Sequence, residues 1–207
     1  MRSRAVQSGS VADDSRTRIL AATVVCLGRY GIAKTTVDDA AREAGVARAT
    51  VYRHFGDGKD QLIAEAITWA VAQFFNDLAE AVADSPDFAT MLERALVHAH
   101  RAVDEHEVLQ KVMETEPERL LPQLTQSAPL VQAAVKGYFA EWLSREDLCD
   151  GVEADRAADW LSRMGLSFII SGGRWDLGDP AVVCRLVREE LLIGILAAPG
   201  PDHTHLG

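Results

Sequence analysis

Apolar residues recur every third or fourth position along almost the whole chain, and no stretch alternates apolar with polar over a strand length. There is no hairpin signal between β-branched runs and no repeat of fixed period. The pattern predicts an all-α protein. A first helix is expected over 14–30, capped by Asp14 or Ser15, with Ile19, Leu20, Thr23, Val24 and Leu27 at helical spacing and Gly31 as its stop. A short second helix follows the capping residue Thr36, carries Val37, Ala40, Ala41 and Ala44 on its apolar side and ends at Gly45. A third spans 48–55, and Gly56, Asp57 and Gly58 form the next turn.

A long fourth helix is expected over 59–83, where Leu62/Ile63, Ala66/Ile67, Ala70/Val71, Phe74/Phe75, Leu78 and Ala81/Val82 repeat every four residues. Further helices are predicted over 88–105, 107–114, 117–125 and 129–144, with Pro117 and Pro129 suited to first-turn positions. The last two fall at 154–171 and 180–198, the second started by Asp179 before Pro180. This divides the chain into a polar, mobile arm (1–13), a small helical domain (14–58), a larger one (59–198) and a frayed tail (199–207).

Composition narrows the class. The chain has 207 residues, 48% apolar and 25% charged, the balance of a globular protein of one domain or a small domain attached to a larger one. Its three cysteines, Cys26, Cys149 and Cys184, are odd in number and far apart, which argues against a disulfide scaffold and a Cys-rich zinc site and for a reducing, cytoplasmic setting. No apolar run reaches the roughly 18 residues of a membrane helix, and residues 1–16 lack the apolar stretch of a signal peptide. No membrane partner is expected. Residues 1–60 hold 10 Lys/Arg and 7 Asp/Glu, a net of +3, while the remainder holds 11 and 24, a net of −13, within the formal −10. The asymmetry is compatible with local phosphate contact at one end, and equally with fluctuation in solvated surface charge.

Two short helices joined by a tight turn at Gly45 describe a helix-turn-helix. Val37, Ala41, Val46 and Val51 can pack inward, and the small Ala40, Ala41 and Ala44 let the helices cross closely. Arg48, Ala49, Thr50, Tyr52, Arg53 and His54 are left on or near the outer face, a mixture of donors, an aromatic and small side chains suited to the major groove and its phosphates. Many helical hairpins share that pattern. The segment 19–62 nonetheless resembles, in order and spacing, the DNA-binding domain of the TetR family of bacterial transcriptional regulators. The resemblance rests on Ile19-Leu20-x-Ala22, Tyr30-Gly31, Thr35-Thr36-Val37, Ala41-x-x-Ala44-Gly45-Val46, Thr50-Val51-Tyr52-x-His54-Phe55 and Lys59-x-x-Leu62.

The resemblance implies an N-terminal three-helix helix-turn-helix domain joined to a C-terminal helical dimerisation and effector domain. It implies a DNA-binding set of Thr35, Thr36, Arg48, Ala49, Thr50, Tyr52, Arg53, His54 and Lys59. Thr36 stands where the family has a phosphate-binding cap, Arg48 and Ala49 where it reads base edges, and Lys59 where a lysine contacts phosphate. Three features depart from the family pattern: Ala40 replaces a larger aliphatic, Ala47 replaces a frequent Ser cap, and the turn at Gly56-Asp57-Gly58 is one residue longer than the commonest form.

The last two helices are apolar on two sides, with Trp160, Met164 and Phe168 in one row and Val183, Val187, Leu191 and Ile195 in another. Such helices belong either deep in a domain or in an oligomer interface. The family resemblance favours the second, a homodimer built from two helices of each subunit. In the family the middle helices enclose an effector pocket, and Phe74, Phe88, Met91, His98, Met113, Tyr138 and Trp142 are the candidates here for a small, mostly apolar ligand, although each alone reads first as core. The fourth helix would reach from the DNA end to that pocket.

The function implied is a ligand-responsive, sequence-specific regulator, a repressor by family base rate, released by its effector from an inverted-repeat operator in double-stranded DNA. The rival classes are an enzyme and a helical module that binds protein. No Gly-rich phosphate loop, H-E-x-x-H or G-x-S-x-G is present, so no enzyme and no cofactor is expected. His98 and His100 are two apart and make a poor metal pair, His203 and His205 lie in the tail, and no metal is expected. Glu114, Glu116 and Glu118 read as a solvated turn.

Overall fold

The computed structural model describes the backbone of residues 4–197 and the side chains of 14–169 and 171–197. The expected tail at 199–207, with His203 and His205, lies outside the described residues, as do residues 1–3 of the expected arm. The helices are α1 (Arg4–Lys34), α2 (Val37–Glu43), α3 (Arg48–His54), α4 (Lys59–Val82), α5 (Phe88–Asp104), α6 (Glu107–Thr115), α7 (Pro117–Leu143), α8 (Ala154–Ile170) and α9 (Pro180–Arg185), which continues as a π-helical turn, Leu186–Leu191. Among the described residues there is no strand, only an isolated antiparallel bridge between Leu148 and Leu196.

Three boundaries differ from those the sequence predicts. α1 begins at Arg4, ten residues before the capping signal at Asp14. Extending an existing helix closes one hydrogen bond per residue fixed, and the polar run 4–13 contains no proline to stop it. The two helices expected around Pro129 are one, α7. Pro129 costs α7 one backbone donor, and in the turn before it Thr125 Oγ1 donates to the Leu121 carbonyl (2.8 Å) and Ser127 Oγ to that of Gln123 (3.2 Å). Buried Ser127 also lies 3.2 Å from Thr68 Oγ1 of α4. The last helix stops well short of residue 198. The Leu192 amide donates five residues back to Val187 (2.9 Å), and the chain then pairs with the loop after α7, Cys149 N–H on the Ile195 carbonyl (2.9 Å) and Ala197 N–H on that of Asp147 (2.8 Å). Backbone pairing to a distant loop competes there with helix continuation.

The chain forms two compact units, one of residues up to 76 together with 104–128, the other of 77–103 together with the chain from 129 onward. The first therefore takes in more than the small domain bounded at 58. Its core has two parts. Ile19, Leu20, Ala22, Val37, Ala40, Ala41, Ala44, Val51, Phe55, Leu62 and Ala66 enclose the helix-turn-helix. Leu27, Ile32, Ile63, Ile67, Val112 and Leu120 join the end of α1 to α4, α6 and the start of α7. In the second unit Phe88, Met91, Leu92, Leu96, Leu143, Leu161, Leu177, Val183, Leu186 and Val187 are almost wholly buried. Phe88 meets Phe139 edge-on at 5.4 Å between centroids, and its amide donates to Glu146 Oε1 at 2.7 Å.

α1 is interrupted at Gly31, with φ +80° and ψ 171°. That region is open essentially to glycine alone. The chain turns there, and the Gly31 carbonyl then accepts from both the amide (3.2 Å) and the hydroxyl (2.7 Å) of Thr35. A Cβ at this position would also strike the Glu116 carboxylate. Gly31→Ala is expected to lower stability by about 1–3 kcal/mol, read as a fall in the urea midpoint at unchanged m-value.

Candidate nucleic-acid interface

The site is built from two seven-residue helices. α2 starts with a reciprocal cap: Thr36 Oγ1 accepts from Asp39 N–H (3.2 Å), and Asp39 Oδ2 accepts from the Thr36 amide (3.1 Å) and hydroxyl (2.6 Å). The Thr36 hydroxyl, aided by the Thr36 amide and Arg42, holds the Asp39 carboxyl below the usual carboxylate range, against desolvation that raises it. α2 turns into α3 through Gly45, with the Val46 amide on the Ala41 carbonyl at 3.0 Å. Ala47 precedes α3 and gives it no side-chain cap, and the Thr50 amide donates instead to the Ala47 carbonyl at 2.8 Å.

Val51 and Phe55 are buried, while Arg48, Ala49, Tyr52 and Arg53 are exposed and Thr50 and His54 half-buried. Arg48 is held on two sides: Nη1 donates to Asp38 Oδ2 (2.8 Å) and Nη2 to the Tyr52 hydroxyl (3.2 Å), with the guanidinium carbon 5.4 Å from the Tyr52 ring centroid. The Tyr52 hydroxyl and the Asp38 charge both raise its pKa further. Two members of the predicted set face elsewhere. Thr35 is buried, because its hydroxyl closes the turn after Gly31, so it presents nothing to a duplex. His54 tilts against Phe55 at 6.3 Å with its Nε2 buried and without a hydrogen-bond partner, which points it partly inward. Lys59 donates from Nζ to the Ala33 carbonyl at 2.6 Å, leaving two of its three donors.

Sequence reading missed the residues that hold this platform from behind. Val108 of α6 packs so closely on Gly28 that a Cβ there would lie 2.5 Å from its Cγ2. Lys111 Nζ donates to the carbonyls of Gly28 (2.9 Å) and Arg29 (3.4 Å), near the end of the main run of α1. Glu116 is not a solvated turn residue: its Oε2 accepts the Ala33 amide at 2.8 Å, and Arg119 lies 3.5 Å away. Amide and carbonyl of Ala33 are thus gripped by Glu116 and Lys59. Nothing in the spacing of Glu116 announces this, since its partner is 83 residues away and is a backbone group.

The residues expected to line an effector pocket are shared between the two units. Phe74, stacked edge-on with Phe75 at 5.0 Å, and exposed Met113 belong to the first unit. In the second, Phe88 and Met91 are fully buried core, because the apolar face of α5 has no other place to go. His98 is exposed and lines a groove with Val82, Asp84, Glu93, Arg94, Arg101 and Pro180. Tyr138 and Trp142 are half-buried neighbours 6.4 Å apart, with Arg145 6.0 Å over the indole. The expected interface rows also separate. Val183, Val187 and Leu191 are buried within the chain itself, since α9 and its π-turn spend that face on their own core, and Ile195 is half-buried. On α8, Trp160 is 42% exposed, and Met164 and Phe168 are half-buried.

Comparison with known proteins places this geometry. Residues 19–66 match the sequence model of the bacterial regulatory proteins of the tetR family. Over 107 residues the chain is 31% identical to an uncharacterized HTH-type transcriptional regulator of Mycobacterium tuberculosis, covering 52% of this chain and 54% of that protein. Over 89 residues it is 29% identical to the HTH-type transcriptional repressor KstR2 of Rhodococcus jostii, covering 43% of each. The chain thus spans about half the length of the curated relatives it matches. Its fold is similar to that of the TetR-family repressor AlkX of Dietzia, implicated in biodegradation of n-alkanes, with a TM-score of 0.62 and 20% identity over 86% of this chain and 98% of that one.

The cap at Thr36 is separable from any contact it makes. Thr36→Ala should lower stability by about 0.5–2 kcal/mol and Thr36→Ser by much less, measured by urea denaturation. Equal losses in both variants would mean that the γ-methyl, not the hydroxyl, stabilises the start of α2.

Proposed function

We propose that this chain, whose residues 19–66 match the tetR-family model, is a cytoplasmic homodimeric repressor that binds an inverted-repeat operator and is released by a small, mostly apolar effector. The observation that carries the DNA reading is α3, which turns Arg48, Ala49, Tyr52 and Arg53 outward from a buried Val51 and Phe55. The net positive charge of residues 1–60 favours the same end for phosphate contact, while the acidic remainder discourages indiscriminate binding to nucleic acid. Thr36, Thr50 and Lys59 flank that face as backbone contacts. KstR2, a repressor by name, supports repression.

A twofold dimer would present two such faces to two similar half-sites about 34–36 Å apart. The α8 face around Trp160 is the surface we assign to it, because the α9 row is already buried. The half-buried Tyr138–Trp142 pair offers aromatic surface to an apolar ligand, and the connection of AlkX with n-alkanes fits that class. A ligand that favours a different spacing of the reading helices would shift the population away from DNA.

Two measurements test this. With a duplex selected from a randomised pool, Arg48→Ala should cost about 1–3 kcal/mol and relax one position per half-site. Lys59→Ala should weaken all duplexes alike and flatten the salt dependence by about one ion per subunit. Unchanged sequence preference and salt slope in both would refute the contacts. Trp160→Glu should sediment as a monomer and lose the two-half-site footprint while its thermal midpoint stays near that of the wild type; a footprint that survived in a monomer would refute the dimer.

A further inference from the structure

Arg48 is the side chain best placed to read a base, and it is the one with the most local restraint. The acidic partner that restrains it comes from the other helix of the hairpin. α2 opens with two adjacent carboxylates that are used differently. Asp39 is consumed by the cap on Thr36 and by Arg42 at 3.1 Å. Asp38 contributes nothing to that cap; its Oδ2 accepts from Arg48 Nη1 at 2.8 Å, across the turn. Both side chains of the pair are more than half exposed, 51% for Asp38 and 59% for Arg48. Ion pairs so open to solvent add little to folding stability. A carboxylate on a face meant for phosphates also opposes binding in general.

We propose that Asp38 is a specificity-determining residue, which holds the Arg48 guanidinium as an oriented fork against Tyr52 and so restrains it from acting as a mobile cation for any phosphate. The proposal rests on the reading of α3 as the DNA-reading helix. A planar guanidinium distinguishes guanine by two parallel hydrogen bonds to O6 and N7, which requires a defined plane and direction. Asp38 on one nitrogen and the Tyr52 hydroxyl on another, with the ring 5.4 Å beneath, define both. Of five N–H donors, two are engaged, so three are left for a base. The same carboxylate offsets the charge of Arg48 and lowers its attraction to a phosphate in any sequence. Discrimination is a difference of two affinities, and Asp38 acts on both.

The test compares a duplex selected by the wild-type protein from a randomised pool with a scrambled duplex of the same composition. Asp38→Ala is expected to raise affinity for the scrambled duplex about two- to fivefold and to steepen its salt dependence by about one ion per subunit. Affinity for the selected duplex should stay level or fall, so the ratio drops. Asp38→Asn keeps the acceptor and should lie between. In the Arg48→Ala background, Asp38→Ala should no longer change the ratio. Asp60→Asn, which removes an exposed charge from the first turn of α4, should shift both duplexes equally. A ratio unchanged by Asp38→Ala, or changed as much without Arg48, overturns the proposal while leaving the DNA reading intact. A wild type that does not tell the two duplexes apart overturns both. Without DNA, the Arg48 Nη resonances should be resolved in the wild type at low temperature and averaged in Asp38→Ala; averaged resonances in the wild type would overturn the anchoring.

Discussion

Seven residues are too few for a helix to stand alone in water, and both α2 and α3 have seven. Everything that presents Arg48 and Tyr52 to a partner depends on burying the inner faces of these two helices against α1 and α4. Phe55, Ile19, Leu20 and Leu62 are essentially inaccessible, and each such side chain contributes about 1.5–3 kcal/mol over its exposed state. Ala40, Ala41 and Ala44 add little apolar area, but they let α2 lie close enough for Val51 and Phe55 to reach the same core. The outward face is free to be polar because the inward one is complete.

The rear of this platform is closed by backbone chemistry. The end of α1 would leave carbonyls and amides unpaired where the chain turns at Gly31. Lys111, Glu116 and Lys59 satisfy them from α6, the corner after it, and α4. The contact of Val108 on Gly28 sets how near α6 can come. A helix more than 70 residues downstream is thereby built into the same compact unit as the helix-turn-helix. Its grip is directional, since amide, carbonyl, ammonium and carboxylate must all keep hydrogen-bond geometry.

Along the outer face, charge is distributed by pairs. Arg48 with Asp38, Arg29 with Glu43 and Arg42 with Asp39 place carboxylates beside three arginines of the first unit. Exposed pairs of this kind stabilise little. Under the proposed function their effect falls on association, where they would limit attraction to any polyanion and leave discrimination to oriented donors.

The sequence alone determined the helical class, the helix-turn-helix with its core residues, the cap at Thr36 and the break at Gly31. These are local: periodicity, capping chemistry and the φ freedom of glycine act within a few residues, and spacing alone exposes them. What only the tertiary structure decided involves partners far apart in the chain or competition between two uses of one face. Thr35 reads like Thr36 but turns inward, because its hydroxyl closes onto Gly31. Val183, Val187 and Leu191 read either as deep core or as an oligomer interface, and the row is buried in the chain's own core. Pro129 reads as a helix start, yet α7 runs through it at the loss of one backbone donor. Glu116 and Asp38 carry no pattern at all; their roles arise because folding brings a carboxylate to a backbone amide and another to a guanidinium.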